Sequence, residues 1–316
     1  MPDINVTFAG LPLTSPIIVE ADGPSLSLPH ARAAIRSGAG AIIFPSLDRS
    51  RLEPQEQRDD VTGNNRNDTA DRNTVQVAQK LNIQQHLDEL GQAVATLDVP
   101  VIAALQCGRR NQWLELADQL RQAGAAAVEL RPDVEELSRT LRSEQLEKNV
   151  LRTVLQVAGR VDVPVVVRIP FGSLGLVPFA QAIADADAAG IMLRPHASLR
   201  GFEVGGPRLA DGGEDARSAN FFAQMAACRV LYRRVTPHLA VTLTAERRDA
   251  AVEALLAGAT VSVVPMEDRG EEELAALVDR LTATLDGWLR SHSMASLVDG
   301  RGLLSESRLT SSLEND

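Results

Sequence analysis

The chain has 316 residues, 44% of them hydrophobic, a formal net charge of −10 and two cysteines. That length and apolar content suffice for one large core, the acidity argues against nucleic acid or an anionic membrane surface as a partner, and two cysteines exclude a disulfide framework. No apolar run reaches the roughly 20 residues of a membrane-spanning helix, and Met1-Pro2-Asp3 opens no signal peptide, so a cytoplasmic protein is expected.

Residues Ile4 to Leu13 alternate around Ala9-Gly10, the pattern of a short hairpin. A first buried strand follows at Pro16 to Glu20, then a helix from about Pro29 to Ser37 and a second strand entered through Gly38-Ala39-Gly40. Residues 46–73 are rich in Asp, Asn, Arg and Gln and poor in large apolar side chains. They read as a flexible surface insertion rather than a substrate lid, because composition alone supports only disorder.

A long helix from about Thr74 to Leu97 leads to Val99-Pro100-Val101-Ile102-Ala103-Ala104-Leu105, too short and too continuously apolar for anything but a strand buried on both faces. In the next helix Trp113, Leu116, Ala117 and Leu120 recur at i, i+3, i+4, i+7, so Trp113 is expected in the core rather than as a stacking platform. Gly124-Ala125-Ala126 leads into strand Ala127 to Leu130. A helix capped by Ser143, with Leu146, Val150, Leu151, Val154 and Leu155 inward, precedes the strand Val163 to Ile169. A helix from about Leu176 to Ala189 ends at Gly190 before strand Ile191 to Leu193. The loop Gly201 to Ala216 and a helix from about Ser218 to Val235 precede strand Pro237 to Thr242. Helix Glu246 to Ala257, strand Thr260 to Val264 and helix Glu271 to His292, with Leu274, Leu277, Leu281, Leu285 and Trp288 inward, complete the series.

Four strands entered through proline thus alternate with four entered through glycine or small residues at a helix end, where glycine is the usual left-handed cap. Eight strands, nearly all followed by a helix, predict an α/β fold of the (β/α)8 TIM-barrel type. The N-terminal hairpin plugs one end and a C-terminal tail trails the last helix. One domain is expected over 1–305, with 306–316 a frayed tail. In such barrels the site lies at the carboxyl ends of the strands. Those ends carry Glu20 and Asp22, Ser46 and Asp48, Gln106 and Cys107, Glu129 and Arg131, Arg168, Arg194 and His196, Thr242 and Thr244, and Glu267 and Asp268.

The segments Gly10-Leu11-Pro12-Leu13-Thr14-Ser15-Pro16-Ile17-Ile18-Val19 and Gly38-Ala39-Gly40-Ala41-Ile42-Ile43-Phe44-Pro45-Ser46-Leu47 resemble the class 1 dihydroorotate dehydrogenase family, in its dehydrogenase-like branch. Val99 to Leu105, Leu255-Leu256-Ala257-Gly258-Ala259 and Ser296-Leu297-Val298-Asp299-Gly300-Arg301-Gly302 agree in order and spacing. The resemblance implies an FMN-dependent oxidoreductase acting on CH–CH bonds. Its flavin lies at the barrel mouth with the phosphate held by strands seven and eight, a lysine lies on strand five, asparagines end strands three and four, and a Cys or Ser on a loop acts as base. Gln106 stands at the first asparagine, Arg131 at the second and Arg168 at the lysine. Leu243 and Thr244 replace the Gly-Gly pair that lets backbone approach a phosphate, and Pro265-Met266-Glu267-Asp268 removes one donor and adds two carboxylates. A carboxylate about 4 Å from a phosphate charge costs on the order of several kcal/mol at intermediate dielectric.

The expectation is therefore a degenerate flavin site with no bound cofactor, in a pseudoenzyme that serves as a binding, regulatory or assembly component. FMN enters only if the family activity is retained, which is the alternative. Ser138, Cys107 and His196 are the weak candidates for catalysis: a loop hydroxyl, a thiol beside Arg109 and Arg110, and an imidazole at a strand end. Gln106, Arg131, Arg168 and Arg194 are the candidates for a small anionic ligand, since guanidinium forks bind carboxylate or phosphate. The other reading of the arginines is internal pairing with Glu20, Asp22, Glu129, Glu267 or Asp268, which the abundance of acids favours. No metal-ligand spacing, Walker loop or GxGxxG is present. A protein partner remains open, and a homodimer is implied by the resemblance alone.

Overall fold

A computed structural model describes residues 2–21, 25–47, 69–106, 110–134, 141–171, 175–195, 201–203, 208–210, 213–244, 247–266 and 269–305. The chain opens with β1 (Val6–Phe8) and β2 (Leu11–Leu13), an antiparallel hairpin in which Phe8 faces Leu11. Ala9 and Gly10 form its two-residue turn at φ 49° and 80°, the left-handed pair that matches strand twist.

Eight parallel strands then close into a barrel. They are β3 (Ile17–Glu20), β4 (Ala41–Leu47), β5 (Val101–Leu105), β6 (Ala127–Leu130), β7 (Val165–Phe171), β8 (Gly190–Pro195), β11 (His238–Thr242) and β12 (Val261–Pro265), with β12 returning to pair with β3. The helices that alternate with them are α1 (Leu28–Arg36), α2 (Thr69–Thr96), α3 (Arg110–Gln122), α4 (Ser143–Ala158), α5 (Leu176–Asp185), α6 (Gly213–Leu231), α7 (Ala250–Ala257) and α8 (Glu271–Ser291). A ribbon of β9 (Gly201–Glu203) and β10 (Arg208–Ala210) stands between β8 and α6, where the sequence reads as plain loop. A last turn, α9 (Leu297–Gly300), ties the tail to the N-terminus: Asp3 N–H donates to Ala295 O at 2.8 Å and Leu297 N–H to Asp3 O at 3.2 Å.

Strand alternation divides the core in two. Ile18, Ile43, Ile102, Ala127, Val166, Met192, Ala240 and Val263 fill the lumen with Phe8, Ala9 and Leu13 of the hairpin. Their neighbours Ile17, Ile42, Val128, Val167, Leu193 and Val241 face outward against the helices. The hairpin is thus the floor of the barrel. Gly190, expected as a helix cap, is instead a strand residue with a packing reason. A Cβ there would lie 3.2 Å from both Phe8 Cζ and Val166 Cγ2, so glycine makes room for the plug. The left-handed residue after α5 is Asp187, at φ 68°, and α5 ends four residues short of the expected Ala189. Gly38, Gly124 and Gly258 do take the left-handed conformation.

Helix α2 begins at Thr69, inside the span 46–73 expected as insertion, while Ser46 and Leu47 still belong to β4. The rest of that span, 48–68, lies outside the described residues, as does the tail 306–316. Trp113, Leu116, Ala117 and Leu120 are buried, as their spacing predicts. In α4 the cap is Arg142, whose N–H donates to Gln145 Oε1 at 3.1 Å, rather than Ser143. Its buried stripe is Leu146, Val150, Val154 and Val157, and Leu155 is 57% exposed. One residue past Val154 turns the side chain about 100° away from the core face.

Candidate functional site

The lumen alternation continues past the apolar layers into charge. Two residues beyond lumen-facing Ile18 stands Glu20, beyond Ala127 stands Glu129 and then Arg131, and beyond Val166 stands Arg168. The barrel therefore aims four ionisable side chains into the same end of its axis, at the mouth. Arg131 Nη2 lies 2.5 Å from Glu20 Oε1 and 2.9 Å from Glu129 Oε2. Arg168 Nη2 lies 2.7 Å from Glu20 Oε1, and its Nε donates to Glu129 Oε1.

Each guanidinium thus bridges both carboxylates, and each carboxylate bridges both guanidiniums. The quartet is formally neutral and largely buried: Glu129 is 0%, Glu20 1% and Arg168 6% exposed, and the Arg131 side chain 10%. Buried charges are tolerated only when paired in this way. Burial disfavours the charged Arg168 guanidinium, but the carboxylates of Glu129 and then Glu20 outweigh it and hold its pKa above the ordinary arginine value. Arg131 Nε is buried with no hydrogen-bond partner among the described residues.

Of the other predicted site residues, Gln106 and Arg194 stand at strand ends on the rim. Gln106 continues the ladder through N–H to Leu47 O at 3.0 Å, and its side-chain amide donates weakly to Asp133 Oδ2 at 3.5 Å. Arg194 is exposed at the end of β8, where it has an interaction of its own. Asp22, Asp48, Cys107, Ser138, His196, Glu267 and Asp268 lie outside the described residues. Among the described residues no cluster of three His, Cys, Asp or Glu could hold a metal, and no helix is long and apolar enough to cross a membrane.

Sequence reasoning placed Thr242 at a strand end but passed over Gln224, which holds it there. Gln224, fully buried in α6, clamps the end of β11 through both halves of its amide: Thr242 N–H donates to Oε1 at 2.8 Å and Nε2 donates to Thr242 O at 2.9 Å. The available signal was a glutamine within the apolar stripe Phe221, Met225, Cys228 and Leu231. Thr242 Oγ1 is buried without a partner among the described residues. The pKa of the Cys228 thiol, on the buried face of the same helix, is pushed up to about 12 by burial, which disfavours the reactive thiolate.

Fold and site together define a (β/α)8 barrel whose mouth is occupied by a neutral ion quartet. Among known proteins, no family model matches the chain. Over 105 residues it is 31% identical to the putative dihydroorotate dehydrogenase A (fumarate) of Aeropyrum pernix, a stretch that covers 33% of this chain and 34% of that protein. The likeness spans about a third of either sequence and supports a dihydroorotate dehydrogenase-like barrel.

The segments where the resemblance implies an FMN phosphate can be tested against that group. Leu243 N–H donates to Val263 O at 2.8 Å and Met266 N–H to Glu20 O at 2.7 Å, both as continuations of the barrel ladder. Pro265 has no N–H, and the Thr244 hydroxyl donates to Arg217 O at 2.9 Å. These donors are spent on the protein itself, so Leu243 N–H, Met266 N–H and the Thr244 hydroxyl do not fit an FMN phosphate as its ligands. Arg168, where the resemblance implies a lysine, is likewise turned onto Glu129 and Glu20.

Proposed function

We propose that this protein is a dihydroorotate dehydrogenase-like barrel that has lost FMN binding and redox catalysis and works as a non-catalytic binding, regulatory or assembly component. The observation that carries this reading is the closed quartet of Glu20, Glu129, Arg131 and Arg168 at the mouth. Groups that would touch a flavin ring or an anionic substrate there have satisfied each other, and opening them to a ligand would strand buried charge. The engaged donors of Leu243 and Met266 support the same reading.

The test is spectroscopic. The purified protein is expected to show no flavin absorbance at about 450 nm and to leave the fluorescence of added FMN unchanged. A yellow preparation, or saturable FMN uptake at about micromolar concentration, would overturn the proposal. The second reading, an active FMN oxidoreductase with a rearranged pocket, is favoured by the likeness to the putative dihydroorotate dehydrogenase A. It predicts flavin reduction by dihydroorotate and reoxidation by fumarate, and the same flavin titration separates the two readings. A cytoplasmic homodimer accompanies either.

A further inference from the structure

The floor of the barrel, opposite the mouth, holds a cavity of about 480 Å³ between the β1–β2 hairpin, the start of β11 and the tail around α9. Val6, Leu13, Leu255 and Leu297 supply apolar wall, and Arg301, His238 and Thr260 supply polar groups. An apolar pocket of this size with a few convergent polar side chains is the usual form of a small-molecule site.

Arg301 sets the chemistry. Among the described residues its Nη1 reaches only Thr260 Oγ1, at a long 3.4 Å. Its Nε is sealed from solvent and has no acceptor, and among the described residues no carboxylate pairs with it. The acids on the same segments are taken locally, Asp3 by the Asn5 side chain at 2.7 Å and Asp299 by the Ser296 N–H at 2.8 Å. His238 Nδ1 accepts the Ala9 N–H at 2.9 Å, which puts the ring proton on Nε2 as a second donor. Burial, and after it the Arg301 charge, hold the His238 pKa below the ordinary imidazole value, so this donor is neutral.

We propose that the floor cavity binds a small amphipathic carboxylate, with its head on the Arg301 fork and its apolar body against Val6, Leu13, Leu255 and Leu297. A carboxylate in the cavity supplies acceptors to the terminal nitrogens of this guanidinium, of which Nη1 has only the long contact to Thr260. A single fork beside a neutral imidazole suits a monoanion better than a phosphate dianion. The site is independent of the flavin question, because no residue of the mouth quartet takes part.

Calorimetric titration of the full chain with octanoate, octanamide and inorganic phosphate tests it. Octanoate is expected to bind at least about tenfold tighter than octanamide, since a charged hydrogen-bond pair is worth that much. Arg301→Gln should erase the preference with the circular dichroism spectrum unchanged. Failure of octanoate to bind, equal binding of the amide, undiminished binding by Arg301→Gln, or binding of phosphate in its place would each overturn the proposal. Should Arg301→Gln not fold, the native protein is titrated with the nitroxide carboxylate 4-carboxy-TEMPO and its methyl signals followed by NMR. Selective broadening at Leu13 and Leu255 supports the site, whereas broadening first at Met266 in the mouth, or none at all, refutes it.

Discussion

The two ends of this barrel carry the same kind of charge under opposite conditions. At the mouth, Arg131 and Arg168 meet Glu20 and Glu129 at hydrogen-bond distance, so the four charges cancel within the quartet. At the floor, Arg301 leans on a single threonine hydroxyl beside an open cavity. The contrast separates charge that stabilises the fold from charge that is free to recognise something. An arginine at a strand end is no evidence of a site until its partners are known.

The largest effect should come from opening the mouth. Glu129→Gln leaves Arg168 and Arg131 short of an anion in a buried place, and should cost about 3–5 kcal/mol of stability in urea unfolding. Replacing all four members together by apolar residues of similar volume should cost far less than this single change. If the single variant loses under about 1 kcal/mol, the quartet is wetter and looser than its geometry, and the contrast with the floor weakens.

Next is the amide clamp on β11. Gln224→Leu strips the buried N–H and C=O of Thr242 of their partners and should cost about 2–3 kcal/mol; an unchanged urea midpoint would mean that water replaces the amide. At the floor, Gly190→Ala drives a methyl to 3.2 Å from Phe8 and Val166, and should cost about 1–3 kcal/mol by overpacking. Its octanoate affinity should also change, because the hairpin that it pushes lines the cavity.

His238 gives a smaller, pH-dependent effect with a definite sign. Its folded pKa lies below the unfolded value of about 6.5, so the unfolded chain binds the proton more readily. Its stabilising contribution is complete above about pH 6.5 and is lost as pH falls through that value towards the folded pKa. Urea midpoints measured between about pH 5 and 8 should therefore fall on acidification in the native protein. The part due to this ring should vanish in His238→Gln; identical profiles would refute it. The smallest effect is at Cys228. In a Cys107→Ser background no thiol should react with a disulfide reagent until the protein unfolds, and prompt reaction would show that α6 opens readily.

The eight strands, their order and the plugging hairpin were legible in the sequence, because runs such as Val165-Val166-Val167 and the turn Ala9-Gly10 state a local backbone preference that the fold does not override. The sequence also set Glu20, Glu129 and Arg168 at strand ends, while their common lumen face came from the structure. Helix ends were less legible: α2 starts at Thr69 and α5 stops at Asp185, since boundaries depend on what each end packs against. Gly190 reads as a cap until Phe8, far away in the chain, is seen pressing on it.

Pairing was settled only in three dimensions. The sequence supplied acids and arginines at the strand ends but could not say which of them meet, because Glu20 and Arg168 are 148 residues apart and come together only when the barrel closes. Arg301 and His238 passed unnoticed for the same reason. A cavity belongs to no segment, and the floor of this one is assembled from the two ends of the chain and the start of β11. The sequence by itself determined a barrel and the residues at the ends of its strands, through local preference and the repeat of strand and helix. Which charges cancel and which stay open was decided by tertiary contact, because electrostatic satisfaction depends on distance through space and not along the chain.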